Sequence, residues 1–179
     1  MSVLVIQQQN DGNKILSIIN SEDTLVESRP CSSWSECSAI VYDHLMLILP
    51  GEQVRLVSLK TPTSLSTSDL QQAIPNMLEE SLAEDIQSLH FSIGAPNDRQ
   101  ERPIAVIKKT LWAQLMAELA EHHIRPDLLV PDYLALPYHE GTWSLYYDDH
   151  TVMVRTGLAE GFSTHPELIT TLLPLRFQC

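Results

Sequence analysis

The chain has 179 residues, 44% of them hydrophobic, and a formal net charge of -12 at pH 7. This length suits one large domain or two small ones, and it allows a sizeable core to be buried. The acidic balance argues against nucleic-acid binding, which needs lysine and arginine to neutralise phosphates. It is compatible with a positively charged protein partner, although solubility alone is an equally good reason for such a charge.

The cysteines and the apolar runs indicate the cellular compartment of the chain. The three cysteines are odd in number: five residues separate Cys31 from Cys37, and Cys179 is terminal. This spacing fits neither a zinc site nor a disulfide framework, so it predicts reduced cytosolic thiols. The N-terminal segment lacks the basic start and long apolar core of a signal peptide. No run approaches the roughly 18 apolar residues of a membrane-spanning helix.

The first 49 residues have the pattern of strands with short connections. Asn10-Asp11-Gly12-Asn13 is typical of a tight hairpin turn. The stretch from Pro30 to Ser38 is loop-like, with Trp34 as the expected anchor. Strands are predicted over residues 3–7, 14–19, 24–28 and 45–49, and Pro50-Gly51 ends the last of them.

The stretch from Leu49 to Ile86 organises the rest of the chain. It begins with a strand, to Pro62, that is apolar on both faces and is therefore expected to be covered on both sides. A Thr/Ser run follows, in which Thr67 or Ser68 is expected to cap a helix. The helical spacing of apolar residues runs from Leu70 to about Ala83.

Four carboxylates cluster at the end of this helix. They are Glu79, Glu80, Glu84 and Asp85. Carboxylates at a helix C-terminus are disfavoured by roughly 0.3–1 kcal/mol each. Two interpretations stay open: a surface kept acidic for a basic partner, or an exposed, solvated turn whose cost is small.

The second half continues in mixed α/β order. Thr110 is expected to cap a second helix that His122 and His123 end, and Leu128 to Val130 is a short apolar run suited to a central, doubly covered strand. A short helix is expected after Pro131. Further strands are predicted over residues 89–93, 103–107, 143–148, 152–156 and 161–163, and a last helix over residues 165–176.

Several segments resemble one family in the same order along the chain. The similar segments are LILPGEQVRLVSLKTP, QAIPNMLEESLAEDIQSLHF, IRPDLLVPDYLALP followed by a tryptophan, VRTG and GF. Together they resemble the cytoplasmic part of the type II secretion system protein L family, from about Leu47 to Phe162. The first 45 residues are similar only in strand pattern, and the segment after Phe162 adds little to the resemblance.

The resemblance implies an α/β chain of the actin-like, or ribonuclease H-like, class. We expect a first lobe from residues 1–49 with 125–140, an inserted small α/β subdomain at residues 50–124, and the beginning of a second lobe at residues 141–179. The segments flanking the insertion should rejoin in one sheet. On this resemblance the chain is a piece of a longer protein whose membrane anchor lies elsewhere.

The function implied by the resemblance is that of a scaffold. Members of this family sit at the cytoplasmic face of the bacterial inner membrane and recruit the secretion ATPase, protein E, through that enzyme's N-terminal domain. The implied partners also include the platform proteins M and F, and a homodimer is allowed. Glu79, Glu80, Glu84 and Asp85 are the candidate partner-binding residues.

The residues themselves argue against catalysis and cofactor binding. Actin-like ATPases hold phosphates on two hairpin turns, where glycine admits close backbone approach and an aspartate holds the metal. Here no acid directly follows the first strand, and the turn from Tyr147 to Thr151 has two acids and no glycine. We therefore expect no nucleotide, no metal, no catalytic residue and no small-molecule substrate. The alternatives are an actin-like adaptor of type IV pilus assembly and a nucleotide-binding actin-like ATPase.

Overall fold

Three β-sheets organise the chain in the computed structural model, which describes residues 1–62 and 66–176. The first sheet contains β1 (Val3–Gln8), β2 (Lys14–Ile19), β3 (Leu25–Cys31), β4 (His44–Leu49) and β8 (Leu128–Pro131). Their order is β3-β2-β1-β4-β8; the β1–β4 and β4–β8 pairs are parallel and the others antiparallel. The predicted return of the chain to one sheet after the insertion is confirmed.

The main core lies on the first sheet. Leu4 and Ile6 alternate inward on β1, as a half-buried strand requires. Strand β4, which lies between β1 and β8, has four of its six residues buried. Helices α1 (Trp34–Ser38) and α3 (Lys109–Glu121) add Trp34, Leu115 and Leu119 to the same core. The predicted anchor, Trp34, is 5% exposed.

The second sheet and its helix form a smaller core. The sheet contains β5 (Arg55–Lys60), β6 (Leu89–Ile93) and β7 (Glu101–Lys108), antiparallel in the order β5-β7-β6. Helix α2 (Thr67–Leu78) buries Leu70, Ile74 and Leu78 against it, as the apolar spacing predicts. Helix α3 also contacts β6 and β7 of this sheet, but its buried residues Leu115 and Leu119 belong to the first core. The two predicted helices of the insertion thus both contact the second sheet and contribute to different cores.

The third sheet is the predicted meander. It contains β9 (Ser144–Tyr147), β10 (Val152–Gly157) and β11 (Glu160–Thr164), antiparallel in the order β11-β10-β9, and α4 (Pro166–Arg176) follows. The domain boundaries at residues 49, 125 and 141 stay a prediction, because sheets and cores do not by themselves define independent folding units.

Two strands are less buried than their sequences suggest. None of the six residues of β5 is buried, and β5 lies at an edge of its sheet. Strand β8 also lies at an edge, with Leu128 48% exposed. The predictions of a doubly covered β5 and a central Leu128–Val130 are therefore wrong. A short apolar run cannot distinguish a central strand from an edge strand beside an apolar groove.

The helix starts also differ from expectation. The cap of α2 is Ser66, which accepts a hydrogen bond from the Asp69 backbone N–H in a capping box, and not Thr67 or Ser68. Helix α3 begins at Lys109, before Thr110, without a side-chain cap. The stretch from Pro30 to Ser38 is a strand end and a short helix, whereas a loop was expected. Residues 63–65 of the Thr/Ser run, and Cys179, lie outside the described residues.

One buried turn connects the three sheets. A 3₁₀ turn (Asp132–Ala135) follows β8, and the fully buried Tyr133 donates a hydrogen bond from its hydroxyl to the Val54 carbonyl at 3.2 Å. Asp132 accepts a hydrogen bond from Ser163 of β11. Gly51 makes room for this turn, since a Cβ there would lie 2.5 Å from Ser163 Oγ and 2.6 Å from Tyr133 Cδ1.

Substituting Gly51 tests this close packing. We expect Gly51→Ala to lower the free energy of unfolding by about 2–3 kcal/mol, because the added methyl group overpacks the junction. Glu52→Ala, at the neighbouring exposed position, should change it by less than about 0.5 kcal/mol. Equal effects of the two variants in urea unfolding would contradict this account of the junction.

Candidate functional site

The four candidate carboxylates lie in one exposed loop after α2, which we call the acidic loop (residues 79–85). Glu79 and Glu80 stand in a 3₁₀ turn (Glu79–Ser81) that tightens the end of the helix. Glu84 and Asp85 follow, and all four carboxylates are exposed. The loop is held on the second sheet because Arg55 Nη1 donates to the Ser81 carbonyl at 2.9 Å.

Folding accounts for two of the four acids. Asp85 caps the next 3₁₀ turn (Ile86–Ser88) by accepting a hydrogen bond from the Gln87 backbone N–H at 2.8 Å. A carboxylate at this N-terminal position is stabilising. Glu84 lies 3.3 Å from Lys108 Nζ in an ion pair whose two side chains are about half exposed. The fold therefore supplies a structural role for Asp85 and Glu84, whether or not a partner uses their charge.

The other two acids are not engaged by the fold. Within the described part of the chain, neither Glu79 nor Glu80 makes a side-chain hydrogen bond or ion pair. Both lie just beyond the C-terminus of α2, where the helix dipole disfavours a negative charge. They are the members of the acidic loop whose charge a partner could use at no structural cost.

A cavity of about 420 Å³ adjoins the acidic loop. Leu82, Leu89 and Leu111 supply apolar lining. Its charged lining is balanced, with the carboxylates of Glu52 and Glu84 and the cations of Arg55 and Lys108. The geometry suits an apolar side chain inserted beside an acidic surface, since interfaces commonly combine a buried anchor with a charged rim.

The second candidate site is a cleft of about 610 Å³ between the first and third sheets. The β1–β2 turn and the β9–β10 turn face it, where an actin-like ATPase would hold phosphates. In the first turn Asp11 accepts hydrogen bonds from the Asn13 backbone N–H and side chain at 2.9 and 2.7 Å. Gly12 supports this turn with φ +85°.

The β9–β10 turn is closed in the same way. Asp148 Oδ1 accepts hydrogen bonds from the backbone N–H groups of His150 and Thr151, both at 2.8 Å, and Tyr146 donates to Oδ2. These backbone bonds hold the pKa of Asp148 below its usual value. The amides that would cradle a phosphate therefore already serve a carboxylate, which repels phosphate.

Asp132 is the buried acid of the cleft. It is 8% exposed, and it accepts from Ser163 Oγ at the junction described above. Burial raises its pKa, against the opposing hydrogen bonds from Ser163 and from the backbone of Gly51 and Tyr133. Asp132 was not among the candidate residues predicted from the sequence. The only local signal for it is its position after Pro131, where a strand ends in a buried turn.

Metal centres and membrane-spanning helices are two further features that bear on function. Among residues 1–62 and 66–176, no three His, Cys, Asp or Glu side chains come together as metal ligands. The helices in this part of the chain are too short or too polar to cross a membrane.

The comparison with protein families decides the identity of the chain. Residues 5–176 match the model of the type II secretion system protein L family. The chain belongs to this family. The expected resemblance is thereby confirmed, and the family is that of a component of a secretion system.

Two named relatives agree with this identification. The chain is similar to type II secretion system protein L of Pectobacterium carotovorum subsp. carotovorum, with 30% identity over 104 residues, and of Dickeya chrysanthemi, with 32% identity over 98 residues. These matches cover 58% and 55% of this chain and 24% of each relative. The matched segment is about a quarter of the length of these curated relatives.

The solved structures that match confirm the actin-like fold. The cytoplasmic domain of EpsL, an inner-membrane component of the type II secretion system of Vibrio cholerae, has a TM-score of 0.75 and 16% identity, covering 96% of this chain and 74% of that one. A PilM–PilN type IV pilus biogenesis complex matches with a TM-score of 0.60 and 13% identity, covering 99% and 66%. A Bacteroides thetaiotaomicron protein with an actin-like ATPase fold has a TM-score of 0.52 and 11% identity, covering 99% and 76%. At these identities the likeness concerns the fold.

The raised pKa of Asp132 predicts a pH dependence of stability. Its folded-state pKa lies above its unfolded value, so its contribution to stability is fully present below the unfolded pKa. The contribution is lost as pH rises through the folded pKa. Asp132→Asn removes this titration, so the free energy of unfolding of the variant should rise relative to wild type as pH increases from 3.8 through the folded-state pKa, and should level off above it. Urea unfolding at several pH values checks this; a difference that stays constant across them would contradict it.

The closed turns of the cleft predict that the chain does not bind ATP. Titration calorimetry with Mg-ATP should show no heat beyond dilution, because the Asp148 carboxylate occupies the amides that phosphate would need. Asp148→Gly frees those amides and removes the charge, and it serves as the matched comparison. A micromolar dissociation constant for the wild-type chain would overturn the prediction.

Proposed function

We propose that this chain is a non-catalytic cytoplasmic scaffold of the type II secretion inner-membrane platform, and that it recruits the secretion ATPase, protein E. Membership of the protein L family is the observation that carries the proposal. The closed turns of the cleft support the non-catalytic role, since Asp11 and Asp148 take the amides that phosphate binding would use. No cofactor and no small-molecule substrate is part of the proposed function.

The proposed location is the cytoplasmic face of the bacterial inner membrane. The structural neighbour from Vibrio cholerae is described as the cytoplasmic domain of an inner-membrane component. The platform proteins M and F are proposed as further partners, together with a second copy of this chain. The PilM–PilN neighbour is itself an assembly, which supports partner binding on this fold.

We place the ATPase-docking surface on the acidic loop and the neighbouring cavity. The N-terminal domain of protein E would present a positively charged surface to Glu79, Glu80, Glu84 and Asp85. It would insert an apolar side chain beside Leu82 and Leu89. Rim charges mainly raise the association rate and its salt dependence, whereas a buried anchor mainly slows dissociation. The two parts of the surface therefore have separate kinetic signatures.

A quadruple variant tests the acidic part. We expect association with the purified N-terminal domain of protein E to slow by about tenfold at low salt and to lose much of its salt dependence. The fold should be retained, because asparagine at position 85 still caps the 3₁₀ turn and the lost Glu84–Lys108 pair is worth at most about 1 kcal/mol. Stopped-flow association over a salt series measures both quantities. The substitutions are Glu79→Gln, Glu80→Gln, Glu84→Gln and Asp85→Asn.

Two further variants distinguish a loss of docking contacts from the effects of a changed net charge and of altered folding. A control with the same charge change at exposed acids elsewhere should keep most of the association rate; it carries Glu22→Gln, Asp23→Asn, Asp98→Asn and Glu140→Gln. Glu79→Gln with Glu80→Gln alone leaves both structural carboxylates in place, so a slower association reports docking directly. If the quadruple variant associates at the wild-type rate with the wild-type salt slope, the acidic loop is a solvated helix end and the docking face lies elsewhere.

A further inference from the structure

Two buried thiols lie in contact at the edge of the main core. Cys31 is the last residue of β3 and Cys37 lies in α1, and their Sγ atoms are 3.2 Å apart. Their side chains are 2% and 1% exposed, and both are free thiols. The spacing in sequence did not indicate this pairing, because it depends on the short helix that brings position 37 back to the strand.

The segment between the two thiols is held in place by contacts of Ser33 and Trp34. The Ser33 carbonyl accepts a hydrogen bond from Cys31 Sγ at 3.1 Å. Trp34 Nε1 donates to Glu118 of α3 at 2.9 Å, and the Lys14 ammonium lies 4.5 Å from the centre of the Trp34 ring. These contacts fix α1 against the sheet, so the two sulfurs stay close without a covalent bond.

The two cysteines, both almost fully buried, differ in what lies beside them. Cys31 lines an open surface hollow of about 600 Å³ together with Arg29, Pro30 and Ser32. Cys37 is not part of that lining and faces the core. The hollow therefore adjoins Cys31 and not Cys37, although both side chains are almost fully buried.

We infer that Cys31 and Cys37 form a reversible disulfide when the protein meets a peroxide. The Cys31 thiolate attacks a peroxide oxygen, giving a sulfenic acid and releasing water once the departing oxygen is protonated. The Cys37 sulfur then attacks the Cys31 sulfur and expels a second water. In total two thiols and one hydrogen peroxide give one disulfide and two waters, the sulfurs losing the two electrons that the peroxide gains.

Forming the disulfide requires a small movement of the two sulfur atoms. A disulfide has its sulfurs about 2.0 Å apart, so the two atoms must approach by about 1.2 Å. Burial, and secondly the neighbouring Cys31, raise the pKa of Cys37 to about 12. The second step is therefore slow at neutral pH and faster at higher pH, because the thiolate is the nucleophile. A reduced pair at rest and a slow, selective oxidation are both consistent with this arrangement.

The test uses the full chain with Cys179→Ser, so that the pair is the sole source of thiols. After treatment with hydrogen peroxide, the intact mass should fall by two hydrogens and a peptide linking Cys31 to Cys37 should appear. The midpoint of thermal unfolding should rise by several degrees, because the bond closes a loop in the unfolded chain. Dithiothreitol should reverse both changes, and the oxidation should be faster at pH 9 than at pH 7.

Two single substitutions in the same background test the order of events. With Cys37→Ser, the remaining Cys31 should stop as a sulfenic acid that dimedone labels. With Cys31→Ser, the buried Cys37 should label far more slowly. Oxidation to sulfinic acid without loss of two hydrogens, or protection of both thiols from peroxide in the folded chain, would overturn the inference. Faster labelling of Cys37 than of Cys31 would overturn the assigned order.

Discussion

The buried turn at Asp132 and Tyr133 is the constraint on which the arrangement of the three sheets depends. Tyr133 reaches the Val54 carbonyl at the start of the second sheet, and Asp132 receives the Ser163 hydroxyl from the third. Both residues follow directly from β8 of the first sheet. Because interiors are close-packed, a turn this enclosed fixes the orientation of its neighbours. Asp132 and Ala135 of this turn also line the cleft between the first and third sheets.

That cleft shows how one local geometry can serve two chemistries. A tight turn offers a few backbone N–H groups, and each donates its main hydrogen bond to one acceptor. In an anion site the acceptor is a phosphate oxygen; in this chain it is the carboxylate of Asp11 or Asp148. Because an internal carboxylate accepts these hydrogen bonds in place of a bound phosphate, the turn stays folded without nucleotide. It also places negative charge where phosphate would lie, so the fold is retained while its ATPase chemistry is disfavoured.

Much of the fold could be predicted from the sequence because its signals are local. The Asp-Gly turn, the apolar spacing of α2 and the three-stranded meander each follow from periodicity and turn chemistry, and the family segments supply the order. Edge positions could not be predicted, because Leu128 to Val130 has the same composition as a central strand. The contact of Cys31 with Cys37 could not be predicted either, because it depends on a five-residue helix that is too short to show periodicity. The structural role of Asp132 could not be predicted, because its hydrogen-bond partner Ser163 lies far away in sequence.

The acidic loop shows how far surface charge can be assigned to function. A carboxylate that caps a turn or pairs with a lysine has a sufficient reason in the fold, as Asp85 and Glu84 do. Glu79 and Glu80 have no such reason, and the dipole of α2 makes their position slightly unfavourable. The adjoining cavity is balanced in charge, so it cannot be the source of long-range attraction. In the proposed docking surface, attraction and adhesion are therefore divided between neighbouring parts. On that surface, Glu79 and Glu80 would supply most of the attraction, and the apolar lining of the cavity would slow dissociation.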